Sequence, residues 1–77
     1  MAITGIILHT LGEKTDAVRA MVEQSDDLQF YGLHEEKHLV IVGEMPSREL
    51  KRRLEGLEKT DGVLAVYTTF VNTEDEQ

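Results

Sequence analysis

The segment from Asp61 to Val71 narrows the possible folds of this chain more than any other stretch. Asp61-Gly62 is a turn dipeptide, and the Val-Leu-Ala-Val-Tyr-Thr-Thr-Phe-Val that follows is dense in β-branched and aromatic residues, which predicts a strand. Val66, Thr68 and Phe70 fall on one side of that strand, and Ala65, Tyr67, Thr69 and Val71 on the other, so both sides carry apolar groups. The same two-sidedness recurs in Ile6-Ile7-Leu8 and in Leu39-Val40-Ile41-Val42. A sheet built from such strands has more apolar face than a short chain can cover with its own helices.

The remaining elements fall around these strands. Ala2 to Thr10 reads as the first strand and stops at Leu11-Gly12-Glu13-Lys14. Thr15 is placed to cap a helix whose apolar positions Val18, Met21 and Val22 follow helical spacing, and which ends near Ser25-Asp26-Asp27. Leu28 to His34 predicts a second strand, Glu35-Glu36-Lys37 a polar link, and His38 to Glu44 a third strand. Met45-Pro46-Ser47 ends that strand, with Ser47 as the cap of a second helix striped by Leu50, Leu54 and Leu57. On this helix Glu49 and Arg53 have the spacing of an ion pair, and Gly56 suggests close packing.

The order strand, helix, strand, strand, helix, strand matches the ferredoxin-like βαββαβ unit, an α+β fold with a four-stranded antiparallel sheet and both helices on one face. Residues 1–72 are expected to form this domain, and 73–77 a flexible acidic tail. The most apolar alternation assigns Ile6, Leu8, Leu28, Phe30, Leu39, Ile41, Val66 and Phe70 to the helix-covered face. The open face then carries Ile7, His9, Tyr31, Leu33, Val40, Val42, Glu44, Tyr67, Thr69 and Val71, an apolar patch large enough to mark an interaction site. It is filled either by a foreign ligand or by a second copy of the chain.

Composition restricts the partner. Fifteen acidic against eight basic residues leave a formal charge of −7, which opposes a nucleic-acid backbone and favours a cationic ligand. The apolar runs fall well short of the roughly 20 residues of a membrane-spanning helix, and the amino terminus reads as no secretory signal. The chain has no cysteine, so disulfides and thiolate metal sites are excluded. His9, His34 and His38 are expected together at one end of the sheet, where solvated strand-end imidazoles are the ordinary outcome and a metal site is the less common one. The central strands lack the base-stacking aromatics of an RNA-recognition domain. No constellation of nucleophile, acid and base stands out, so a non-enzyme without a cofactor is expected.

The chain resembles the NapD family of maturation chaperones for periplasmic nitrate reductase. The resemblance rests on Ile3-Thr4-Gly5-Ile6-Ile7-Leu8-His9, on Leu39-Val40-Ile41-Val42-Gly43-Glu44, and above all on Asp61-Gly62-Val63-Leu64-Ala65-Val66 followed by an acidic tail. It implies a cytoplasmic protein, monomeric or weakly dimeric, that binds the twin-arginine signal peptide of a molybdenum-containing nitrate reductase and delays export until the cofactors are inserted. Such a peptide joins cations to an apolar segment, which suits an acidic protein with an apolar open face, and Glu44 is positioned to meet an arginine. A regulatory module resembling ACT domains, dimerising through the same face and binding a metabolite, is the alternative.

Overall fold

The large apolar residues of the strands come in alternating positions, and burying one set of them against two amphipathic helices organises the molecule. The computed structural model describes residues 2–72: β1 (Ala2–Thr10), α1 (Thr15–Gln24), β2 (Leu28–His34), β3 (His38–Met45), α2 (Ser47–Glu58) and β4 (Val63–Asn72), with a short 3-10 turn at Gly12–Lys14 before α1. The acidic tail expected at 73–77 lies outside the described residues. The sheet is antiparallel in the order β2-β3-β1-β4, so β1 and β3 are central and β2 and β4 are the edges. This is the expected ferredoxin-like arrangement.

One face of the sheet is sealed. Ile6, Leu8, Leu39 and Ile41 from the central strands, Leu28 from β2, Val18 and Val22 from α1 and Leu57 from α2 form the core, with Phe30, Met21, Leu50, Leu54 and Val66 packed around it. Burying a side chain of this size contributes about 1.5–3 kcal/mol, and this layer is the main source of stability. The Arg19 guanidinium lies 4.6 Å over the Phe30 ring and covers its outer side.

Neither helix is capped as expected. α1 and α2 begin after Lys14 and Pro46, neither of which makes a side-chain cap bond, and Thr15 and Ser47 are the first helical residues. The buried Thr15 is engaged elsewhere: its hydroxyl lies 2.8 Å from that of Thr10 and donates towards the Glu36 carbonyl at 3.2 Å. Thr10 reaches the Lys37 carbonyl at 3.1 Å. This pair of hydroxyls straps the β2-β3 turn to the start of α1. Arg53 departs from expectation in the same way. It donates to both carboxylate oxygens of Asp27, at 2.7 and 3.2 Å, and so clamps α2 to the start of β2. A bidentate contact across the fold constrains both partners more tightly than a neighbour one helical turn away. Gly56 packs against nothing: a Cβ added there would meet open space.

Two turns show what the chain does at strand ends. Gly62 adopts φ 94°, and a Cβ there would sit 2.5 Å from the Lys14 Cβ, so both the backbone angle and the close approach call for glycine. The β2-β3 turn instead holds Glu35 and Glu36 at φ 54° and 60°, left-handed angles that side chains disfavour.

Candidate functional site

The face of the sheet away from the helices is built from cross-strand rows. The end row runs Ala65, His9, His38, His34 from β4 to β2. The next row is Tyr67, Ile7, Val40, Gly32, followed by Phe70, Gly5, Val42, Gln29 and finally Asn72, Ile3, Glu44. From the histidine row to the Glu44 row is six residues along β3, about 20 Å at strand rise.

Three irregularities in register shape this surface. Tyr31, Leu64 and Thr69 are each skipped in the pairing with the neighbouring strand. An extra residue reverses the alternation beyond it, and this moves three side chains from the faces that strict alternation assigned them. Phe70, expected among the helix-facing residues, pairs with Gly5 on the open face and is 51% exposed. Leu33 and Val71, expected on the open face, pair with the buried Leu39 and Thr4 on the helix side. Ile7, His9, Val40, Val42, Glu44 and Tyr67 occupy open-face rows, as strict alternation requires. Tyr31 and Thr69, the skipped residues, also turn that way. The Tyr31 hydroxyl donates to Gln29 Oε1 at 3.3 Å, and Thr69 Oγ1 and the Phe70 ring together fill the space over Gly5.

The result is a trough. Its floor is the aliphatic surface of the central strands, Ile7, Val40 and Val42, and towards β4 Thr69 and the Phe70 ring lie over the buried Gly5. Its walls are aromatic: Tyr31 on one edge strand, 64% exposed, and Tyr67 and Phe70 on the other. The edge strands stand three strand spacings, about 14 Å, apart, and Phe70 reaches inward from β4 over β1.

The two ends of the trough differ chemically. At one end His9 and His38 stack with ring centroids 4.6 Å apart, and His34 lies tilted at 6.3 Å from His38. His38 Nδ1 is buried without a hydrogen-bond partner. The rings stack rather than converge, and no three His, Cys, Asp or Glu side chains among the described residues are arranged to hold a metal ion. At the other end Asp26, Gln29, Val42 and Glu44 line a hollow of about 250 Å³. Glu44 and Asp26 are exposed there, whereas the neighbouring Asp27 is held by Arg53.

The NapD protein family model matches residues 1–75, nearly the whole chain. The chain belongs to the NapD family. Among solved structures it is similar to the E. coli Tat proofreading chaperone protein NapD, with a TM-score of 0.78 at 17% identity, covering 97% of this chain and 81% of that one. At that identity the likeness speaks for the fold. No curated protein sequence matches. Among the described residues of this NapD-family chain, no helix is long and apolar enough to cross a membrane.

The aromatic wall formed by Phe70 was hidden from sequence reading because the bulge at Thr69 leaves no signal in the apolar alternation. Gly5 is the clue that existed, since a glycine in a central strand marks the close approach of another group.

Proposed function

We propose that this NapD-family chain is a cytoplasmic chaperone that binds the twin-arginine signal peptide of a periplasmic nitrate reductase catalytic subunit. By holding the peptide it delays export until the molybdenum cofactor and iron-sulfur cluster are in place. The observation that carries this reading is the uncovered apolar trough, flanked by aromatic side chains, along which one amphipathic helix can lie. Ile7, Val40 and Val42 offer the floor to the apolar part of the peptide, and Tyr31, Tyr67 and Phe70 grip its sides. His9, Glu44 and Thr69 supply polar contacts at the ends and rim. Leu33 and Val71 belong to the edges rather than to the floor. The net charge of −7 favours a cationic leader and speeds its encounter.

Calorimetric titration with a synthetic nitrate reductase leader peptide tests the reading. Saturable binding is expected, weakened at least tenfold, or about 1.4 kcal/mol, when both arginines become glutamine. Absence of saturation at about 50 μM peptide, weaker than about −6 kcal/mol, overturns it.

A further inference from the structure

Resting on the peptide-binding reading above, we infer that the trough is polar along its length and orients its ligand. The bound helix lies with its twin-arginine amino end over Glu44 and Asp26 and its carboxyl end over the row His9, His38, His34. Two independent features of the helix point the same way. Its amino end combines the guanidinium groups with the positive end of the backbone dipole, and both are favoured beside carboxylates. Glu44 and Asp26 make no ion pair among the described residues, whereas the adjacent Asp27 is held by Arg53. The hollow they line opens beside Val42, so a guanidinium can sit there while the next turn of helix rests on the apolar floor.

The carboxyl end of a helix presents up to four carbonyls without partners, and these need donors. The histidine row sets imidazoles on three adjacent strands, His9 on β1, His38 on β3 and His34 on β2, whose outward ring N–H groups can serve as those donors; the Nδ1 of His38 is buried and does not face the ligand. Acids stand at this end too: Glu35 and Glu36 lie in the turn, and the Glu35 carboxylate is 3.9 Å from His34 Nε2 at the β2 end of the row, away from His9 on β1. Lys37 follows them, and the Glu36 and Lys37 carbonyls are drawn to the helix side by Thr15 and Thr10. The reverse orientation would set unpaired carbonyls against two carboxylates and put the arginines among imidazoles. The distance between the two ends, about 20 Å, accommodates about 13 residues of helix.

The test places a nitroxide spin label at either end of the leader peptide and follows the amide spectrum of the full chain. A label at the amino end is expected to broaden Glu44 and Gln29 and spare His9 and His38, and a label at the carboxyl end to do the opposite. Alongside, Glu44→Gln is expected to weaken the arginine peptide about tenfold yet leave the glutamine-substituted peptide unchanged, with Glu58→Gln on α2 as the silent control. Binding with reversed or uniform broadening overturns the orientation and leaves the chaperone reading standing. Absence of both binding and broadening overturns the two together.

Discussion

Arg53 and Gly56 lie one turn apart on α2 and show how differently neighbouring residues serve the fold. Arg53 joins two elements far apart in sequence through a half-buried bidentate pair with Asp27, and it also donates to Ser25 Oγ at 3.2 Å. Replacing it with methionine keeps much of the stem but leaves Asp27 without its cation, and about 1–3 kcal/mol of unfolding free energy should be lost, measured by urea denaturation. Gly56 makes no close contact and pays the backbone entropy of a helical glycine. Gly56→Ala should therefore stabilise by about 1 kcal/mol, a rise of about 4–8 °C in Tm for a domain of this size, read by thermal unfolding. An unchanged or lowered Tm would mean that the position contacts something this structure does not contain.

Among the elements, the β2-β3 hairpin carries the clearest local conflict. Its register brings His34 opposite His38 and completes the histidine row, yet its turn holds two glutamates at left-handed φ. The turn is stabilised from outside, by the Thr10 and Thr15 hydroxyls on its carbonyls and by the Lys37 N–H to the His34 carbonyl at 3.2 Å. Substituting Asn-Gly for Glu35-Glu36 meets the same angles without the side-chain penalty. The double variant should gain about 1 kcal/mol in thermal unfolding while leaving the amide shifts of His9 and His38 in place. A loss of stability would show that the strap depends on the glutamates themselves. The edge strands carry the other lesson at this scale. Each bulge changes which side chains face the trough, so a single skipped residue in β4 moves Phe70 from the expected core to the open face, where its ring covers Gly5.

For the whole molecule, charge and shape act on different quantities. The excess of acid acts at long range, and its contribution should appear in the rate of peptide association. Raising ionic strength from about 0.05 to 0.5 M shortens the Debye length from about 14 Å to about 4 Å, so the association rate should fall at least tenfold. The dissociation rate, set by contacts in the trough, should change much less; stopped-flow fluorescence with a labelled leader separates the two. An association rate indifferent to salt would remove charge steering from the account. The uncovered face also bears on self-association. The free chain is expected to sediment as a monomer or weak dimer, with peptide and partner copy competing for one surface.

Much of this architecture was already legible in the chain. Alternation and helical spacing specify four strands, two helices and the ferredoxin-like order, because a strand must bury a set of residues two apart and a helix a stripe three or four apart. They also specify that one apolar face is left over. What they do not carry is which residues finish there. Register beyond a bulge depends on pairing with a strand elsewhere in sequence, so Phe70, Leu33 and Val71 were assigned to faces only by their partners Gly5, Leu39 and Thr4. The partner of Arg53 and the strap at Thr15 likewise follow from residues more than twenty positions away. Local chemistry settled the elements and their number, and tertiary pairing settled which side chains flank the open face and which stand at its two unlike ends.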